Sequence, residues 1–225
     1  MQDKEDFQPS PRALILTLLL GFVLCTVCYI MVDRPVAFFV HDHAWNHVPF
    51  FRWLTLPPPI VQAWTPAVLT VCVIGRIWKP FPQWELALVT ACISLLLADQ
   101  FRESLAFVCG RAWPETWVNN NPSLIGNGTF GFYPFRSSTE YSCFPSGHAA
   151  RIGAAAAVVW IVYPKWRWAC LFVMTATAGG LLGMNYHFLS DIIAGGFIGG
   201  IIGTYTTYSF GLVIPRAEDQ QNPKR

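Results

Sequence analysis

The sequence predicts an all-α integral membrane protein, a six-transmembrane-helix bundle. Two observations support this fold class: the chain has few charges, and its apolar residues occur in long runs. Only 12% of the 225 residues are charged and 53% are hydrophobic, whereas soluble domains average about 25% charged residues. A water-soluble protein of this size would need more charge on its surface, but lipid tails accept apolar side chains without a polar cover.

Six apolar runs have the length of roughly 20 residues that crosses a hydrocarbon core. They cover residues 13–32, 60–78, 85–109, 148–164, 168–187 and 192–213. The first run is followed by Asp33 and Arg34 rather than by a small-residue cleavage site, so we expect a retained helix. No repeat or second domain is visible, and residues 1–225 are predicted to form a single membrane domain.

The positive charges predict the orientation of the bundle. If successive helices alternate in direction, all four lysines fall on the side that carries both termini; they are Lys4, Lys79, Lys165 and Lys224. Because cytoplasmic segments are enriched in positive charge, we expect both termini inside the cell and the polar segment 110–147 outside. The net charge of +2 and the absence of a basic stripe give no indication of nucleic-acid binding.

Three clusters of polar residues mark candidate functional sites, since ionisable groups beside membrane spans are energetically costly. They are the segment 102–117, the sequence Cys143-Phe144-Pro145-Ser146-Gly147-His148, and the sequence His187-Phe188-Leu189-Ser190-Asp191. The third predicted helix ends, the fourth begins, the fifth ends and the sixth begins on the external side. The topology therefore predicts that the three clusters meet at one membrane face, where the external loop contributes to the site.

The second cluster has the features of an anion cradle at a helix start. Pro145 ends the loop, and Gly147 lets backbone N–H groups approach an anion. His148 is placed to donate a proton to a leaving oxygen. The alternative interpretation is an ordinary helix cap at Ser146, followed by an interfacial histidine.

The third cluster pairs an imidazole with a carboxylate. His187 and Asp191 are four residues apart, which puts them on one face of the segment if it is helical. The carboxylate would keep one ring nitrogen protonated and leave the other as a nucleophile or base; alternatively, the two form a buried pair that satisfies itself. No metal is predicted, because no third ligand with a recognisable spacing accompanies them and we interpret His41, His43 and His47 as loop residues.

Arginines near these clusters suit an anionic substrate, because the guanidinium stays charged and bonds two oxygens at once. Arg111 lies at the mouth of the third helix. Arg151 follows His148 by three residues and shares nearly the same helical face. Arg102 lies deeper, near Asp99, where it either forms an internal ion pair or binds phosphate.

Two cysteines, Cys109 and Cys143, bracket the external loop. They are either bridged in an oxidising compartment or remain two free thiols.

Taken in order, the clusters resemble the type 2 phosphatidic acid phosphatase superfamily, which also includes vanadium haloperoxidases and bacterial acid phosphatases. The family pattern reads KxxxxxxRP, then PSGH, then SRxxxxxHxxxD. Residues 145–148 match the second part, and His187 with Asp191 matches the end of the third. The first part lacks its lysine and has Trp113 just before the proline, while Leu181 stands in place of the arginine of the third part.

The resemblance implies roles for the matching residues. His187 would attack phosphorus to form a phosphohistidine, with Asp191 orienting its ring. His148 would protonate the departing alcohol and then activate water, and Ser146 and the backbone of Gly147 would bind phosphate oxygens. We predict that Arg111 and Arg151, with Arg102 as a further candidate, supply the charge that the altered pattern has lost.

These roles predict a hydrolase for a lipid phosphate or lipid pyrophosphate that needs no cofactor and resides in a bacterial inner membrane with its site facing the periplasm. Its expected partners are the bilayer and a membrane lipid phosphate; lipid A, undecaprenyl pyrophosphate, phosphatidylglycerophosphate and phosphatidic acid all fit. A lipid phosphotransferase with the same intermediate and a non-enzymatic anion transporter or binding protein remain alternatives. The oligomeric state stays open.

Overall fold

The computed structural model describes residues 9–117, 120–136 and 138–213. The all-α class is confirmed, since the named elements are helices joined by loops and short 3-10 turns. They are α1 (Pro11–Met31), α2 (Asp33–Asp42), α3 (Pro49–Thr55), α4 (Pro57–Gly75), α5 (Gln83–Cys109), α6 (Leu124–Asn127), α7 (Gly147–Val162), α8 (Arg167–Gly183) and α9 (Leu189–Ser209).

Four stretches within the described residues are long and apolar enough to cross a membrane, and each overlaps a predicted span. They are Pro11–Met31, Pro49–Gly75, Gln83–Cys109 and Leu189–Ser209. The other two predicted spans also lie on helices, but α7 has 16 residues and α8 has 17. By length and composition, then, four spans are supported, and the six-span bundle remains a prediction.

Several details differ from the prediction. The segment 168–187 leaves the helix at Gly183, because Asn185 adopts a left-handed conformation with φ 55° before His187 is reached. The short helices α2 and α3 were not predicted from apolar run length. The single domain and the orientation argument also draw on the two ends of the chain, including Lys4 and Lys224, which lie outside the described residues.

The end of α5 shows how the sequence directs the chain into the polar loop. Gly110 caps the helix in the left-handed region with φ 58°, and its N–H donates to the carbonyl of Ala106. A Cβ at this position would collide with the carbonyl oxygen of Tyr133. Glycine is therefore required here, and the turn it makes carries the next residue, Arg111, into the protein interior.

Helices α7 and α9 run in the same direction in close contact. A Cβ on Gly195, Gly199 or Gly203 would collide with the backbone carbonyl oxygen of Ser146, Ala150 or Ala154, respectively. Small residues spaced by four allow helix backbones to approach in this way. Because the contacts advance in step along both helices, their starting ends lie side by side, which brings the second and third polar clusters together.

The glycine stripe on α9 generates a stability prediction. Gly199→Ala should lower the free energy of unfolding by about 1 to 3 kcal/mol, the scale of an overpacked core, because its methyl group meets the Ala150 carbonyl oxygen. Gly200→Ala is the matched control, since a Cβ there meets nothing within 4 Å. Thermal unfolding in detergent measures both, and equal midpoints would contradict the packing argument.

Candidate active site

The second and third polar clusters lie against each other at the starts of α7 and α9. The backbone N–H of Ser146 donates to the carbonyl of Asp191 at 3.0 Å. The rings of His148 and His187 lie with their centroids 6.2 Å apart. The parallel helices thus place the two histidines of the sequence motifs as neighbours.

His187 lies just before α9, and its ring is oriented by the first turn of that helix. Its Nδ1 is 3.7 Å from Oδ2 of Asp191, and the same carboxylate oxygen accepts the Phe188 N–H at 2.9 Å. The two residues therefore meet because Asp191 reaches back to the helix start. They do not share a helical face, since His187 is outside the helix, and the premise of a helical segment was wrong.

Cys143, at the start of the second cluster, contacts this pair directly, although no contact between it and the pair was predicted from the sequence. Its fully buried thiol donates to Oδ2 of Asp191 at 3.0 Å, and its Sγ is 3.5 Å from Nδ1 of His187. Burial, and after it the Asp191 carboxylate, raises the pKa of Cys143 well above that of an ordinary thiol, so the thiol stays protonated and donates. Both Cys109 and Cys143 are free thiols in the structure.

Cys143, His187 and Asp191 are also the residues that could hold a metal ion, since their ligand atoms lie within 4.8 Å of one another. Cys143, which is distant in the chain, is thus the third ligand that did not accompany His187 and Asp191 in the sequence. Cys143 already hydrogen-bonds both Asp191 and His187, however, and Arg111 occupies the other oxygen of the carboxylate. A cation would compete with this guanidinium, so the expectation of a metal-free site is kept as a prediction.

Arg111 is fully buried between two carboxylates. Its Nη1 donates to Asp191 and, at 2.6 Å, to the hydroxyl of Ser190, while its Nη2 donates to Asp33 at 2.7 Å. Four aromatic rings surround the guanidinium, with centroids 4.3 to 5.6 Å from its carbon; they belong to Tyr29, Phe130, Phe132 and Phe188. Both terminal nitrogens are thus occupied by protein groups.

The two carboxylates keep Arg111 charged in this setting. Burial alone would lower its pKa, but Asp191 and Asp33 outweigh that effect and raise it. Asp33 also accepts the backbone N–H of Ser190 at 3.0 Å and its hydroxyl at 2.5 Å. The sequence reading treated Asp33 only as the end of a span, although it joins α2 to the start of α9. This placement favours Arg111 as a support for Asp191 over direct contact with a phosphate.

Arg102 and Arg151 lie at the other side of the motif histidines. The guanidinium of Arg102 rests against Gly147, where an added Cβ would be 2.9 Å from its Nε. Arg151 and Arg102 are both close enough to His148 to act on it electrostatically. Arg102 also pairs with Asp99, as one of the two sequence interpretations expected, with Nε and Oδ1 3.5 Å apart.

The start of α7 adds a third source of positive potential beside these arginines. The first N–H groups of a helix have no partner within it and favour anions. Ser146 caps this helix, its buried hydroxyl accepting the Ala149 N–H at 3.4 Å. The ordinary cap and the anion cradle, which the sequence presented as alternatives, are therefore compatible in one structure.

The positions that depart from the family pattern are filled by apolar contacts. The ring of Trp113 lies 5.3 Å from that of His187, and its indole N–H donates to the carbonyl of Thr139 at 3.1 Å. Leu181 is fully buried and packs against Ala149 and Ile192. Trp113 thus forms one wall beside His187, a role that the sequence reading did not anticipate.

Glu115 ties the polar loop to the segment that precedes His187. Its carboxylate accepts from the amide of Asn46 at 2.8 and 2.9 Å, from the amide of Asn185 at 3.2 Å, and contacts Nδ1 of His41 at 3.1 Å. His41 therefore has a structural partner, but it lies in the last turn of α2, so its interpretation as a loop residue was wrong. Glu115 was not singled out from the sequence, because its partners come from three distant segments.

Comparison with known proteins places this site in a wider context. Residues 87–214 match the model of the PAP2 superfamily. The lipid A 1-phosphatase of Rhizobium etli is 30% identical over 135 residues, which cover 58% of this chain and 53% of the relative. The lipid A 1-phosphatase of Rhizobium johnstonii is also 30% identical over 135 residues, covering 58% and 50%. The chain spans about half the length of the curated relatives it matches, and no solved structure matches it.

The Asp33 pairing predicts a large stability effect from a small change. Asp33→Asn should lower the free energy of unfolding by about 3 kcal/mol, since removing one partner of a buried ion pair leaves charge uncompensated. Asp42→Asn, at the exposed end of the same helix, is the control and should have little effect. The measurement is thermal unfolding in detergent, and similar midpoints for the two variants would refute the role given to Asp33.

Proposed function

The chain belongs to the PAP2 superfamily, and on that basis we propose that it hydrolyses the phosphate ester of a membrane lipid through a phosphohistidine on His187. One observation carries the proposal. His187 has Asp191 on its Nδ1 side and His148 as a neighbouring ring, so a nucleophile, its orienting carboxylate and a proton donor are adjacent.

In the first step Nε2 of His187 attacks phosphorus, and the bond from phosphorus to the lipid oxygen breaks. Asp191, whose Oδ2 is 3.7 Å from Nδ1 before the reaction, moves closer to accept the Nδ1 proton in a hydrogen bond, which keeps Nε2 unprotonated and stabilises the positive charge that forms on the ring. His148 gives its proton to the departing lipid oxygen. The products are a phosphohistidine and the lipid alcohol.

In the second step His148, now neutral, takes a proton from water as the water oxygen attacks phosphorus. The phosphorus–nitrogen bond breaks, inorganic phosphate leaves, and both histidines return to their starting states. Negative charge on the equatorial oxygens is stabilised by Arg102, Arg151 and the first N–H groups of α7. Arg111 acts indirectly by fixing Asp191, while Ser146 and Gly147 form the backbone of the cradle.

Three features support a lipid substrate. Four helices are apolar enough to span a bilayer, and we propose that α7 and α8 complete the six-helix bundle. An apolar groove of about 540 Å³ includes Ala149 and Ile192, which adjoin His148 and Asp191 in the chain. The two relatives are named lipid A 1-phosphatases, so lipid A is the first substrate to assay. We propose that the protein resides in a bacterial inner membrane with its site facing the periplasm.

The covalent mechanism predicts that His187→Ala loses phosphate release from lipid A or another lipid phosphate, because the nucleophile is removed. Wild-type protein should yield an acid-labile phosphate adduct that this variant lacks. His43→Ala is the matched control, since its ring nitrogen bonds the carbonyl of Phe39 away from the site. Normal turnover by His187→Ala would exclude the mechanism, and transfer of phosphate to a second lipid instead of water would identify a phosphotransferase.

We call Arg102 and Arg151 the phosphate clamp. If they bind the phosphate as proposed, Arg102→Ala and Arg151→Ala should each lower kcat/KM by about a hundredfold, the scale of one lost transition-state contact. Lysine should restore little, because it lacks the planar fork. Arg167→Ala, near Trp160 at the far end of α7, serves as the control. Near-normal turnover of both clamp variants would refute this assignment, and a comparable loss with Arg111→Ala at unchanged thermal stability would return Arg111 to the phosphate site.

A further inference from the structure

Asp99 is a buried carboxylate that connects both clamp arginines to another helix. It lies on α5 with 8% of its surface exposed. Its Oδ1 accepts from Nε and Nη2 of Arg151 at 2.8 and 2.7 Å and faces Nε of Arg102 at 3.5 Å. Its Oδ2 accepts the side-chain amide of Gln62, on α4, at 2.6 Å.

The two oxygens of the Asp99 carboxylate therefore have different partners. Oδ1 faces the arginines, while Oδ2 is held by Gln62 alone among its described hydrogen-bond partners. A carboxylate bonded at one oxygen only is free to rotate, whereas a bond at each oxygen fixes its plane. Because two nitrogens of Arg151 bond the same oxygen, Oδ1, the position of that oxygen sets where the guanidinium lies and where its remaining nitrogen is placed.

The charge balance of the cluster is consistent with a site prepared for an anion. Two guanidinium groups share the single buried carboxylate of Asp99. Arg102 also contacts Glu103 at 3.3 Å, but that side chain is 53% exposed, and solvent screens such a pair. Excess positive charge is thus left beside the first turn of α7, where the phosphate of the proposed reaction would bind.

We propose that Asp99 and Gln62 are positioning residues that hold Arg102 and Arg151 in the geometry that binds the phosphate. The inference rests on the proposed function and extends it to two residues outside the sequence motifs. Neither residue touches the reacting atoms; Gln62 fixes Asp99, and Asp99 fixes the arginines.

Gln62→Ala is the informative variant, because it removes one hydrogen bond and leaves every charge in place. Orthovanadate resembles the transition state once it becomes five-coordinate in the site, and its inhibition constant should rise about five- to tenfold, the scale of one ordinary hydrogen bond. The value of kcat/KM should fall by a similar factor. A role in folding alone would reduce the amount of active enzyme but would leave the vanadate constant unchanged.

Gln100→Ala provides the matched control: the same substitution, one residue beyond Asp99, at an exposed position on α5. It should leave the vanadate constant and kcat/KM unchanged. A second test repeats Gln62→Ala in the Arg151→Ala background, where the increase should be clearly smaller, because residues acting through one another are not additive.

Asp99→Asn is the more severe variant and should weaken vanadate binding more than Gln62→Ala does, provided that it folds. An unchanged vanadate constant in Gln62→Ala, or the same factor with and without Arg151, would overturn the inference while wild-type turnover remains intact. Failure of the proposed function gives a different result, namely no phosphate release by the wild-type protein from any lipid phosphate tested.

Discussion

The burial of Arg111 between Asp33 and Asp191 is the interaction on which the arrangement of the site depends. A charge without solvent is tolerated only when its partners neutralise it and satisfy its hydrogen bonds. Here those partners come from α2 and from the first turn of α9, while Arg111 itself comes from the polar loop. One ion-paired group thus joins three segments and, through Asp191, determines where the ring of His187 lies.

The charged residues divide into two groups with opposite requirements. Around Arg111 two carboxylates face one guanidinium, so its positive charge is taken up by protein groups and is not offered to a further anion. Around Arg102 and Arg151 a single buried carboxylate serves two guanidinium groups, so this group is complete only when an anion binds. The motif histidines lie between the two groups. In the proposed mechanism, one group would orient the nucleophile while the other would bind and neutralise the phosphate.

Local sequence patterns predicted the long helices and the motif residues because each depends on neighbours in the chain: apolar run length for the long helices, and PSGH for the start of α7. The meeting of His148 with His187 followed from alternating helix direction. The contacts of Cys143, Asp33 and Gln62 could not be predicted, because their partners are 48, 157 and 37 positions away. Charge type alone likewise could not distinguish the buried Arg111 from Arg151.

The glycine and alanine contacts between α7 and α9 would make the distance between His148 and His187 independent of bilayer thickness. Where backbone packs directly on backbone, no long side chains lie between the helices whose rotamer changes could let them slide or move apart. When bilayer thickness changes, transmembrane helices respond by tilting. The α7 and α9 pair would tilt as one rigid body, so the distance between the two histidines would remain constant across membranes of different composition.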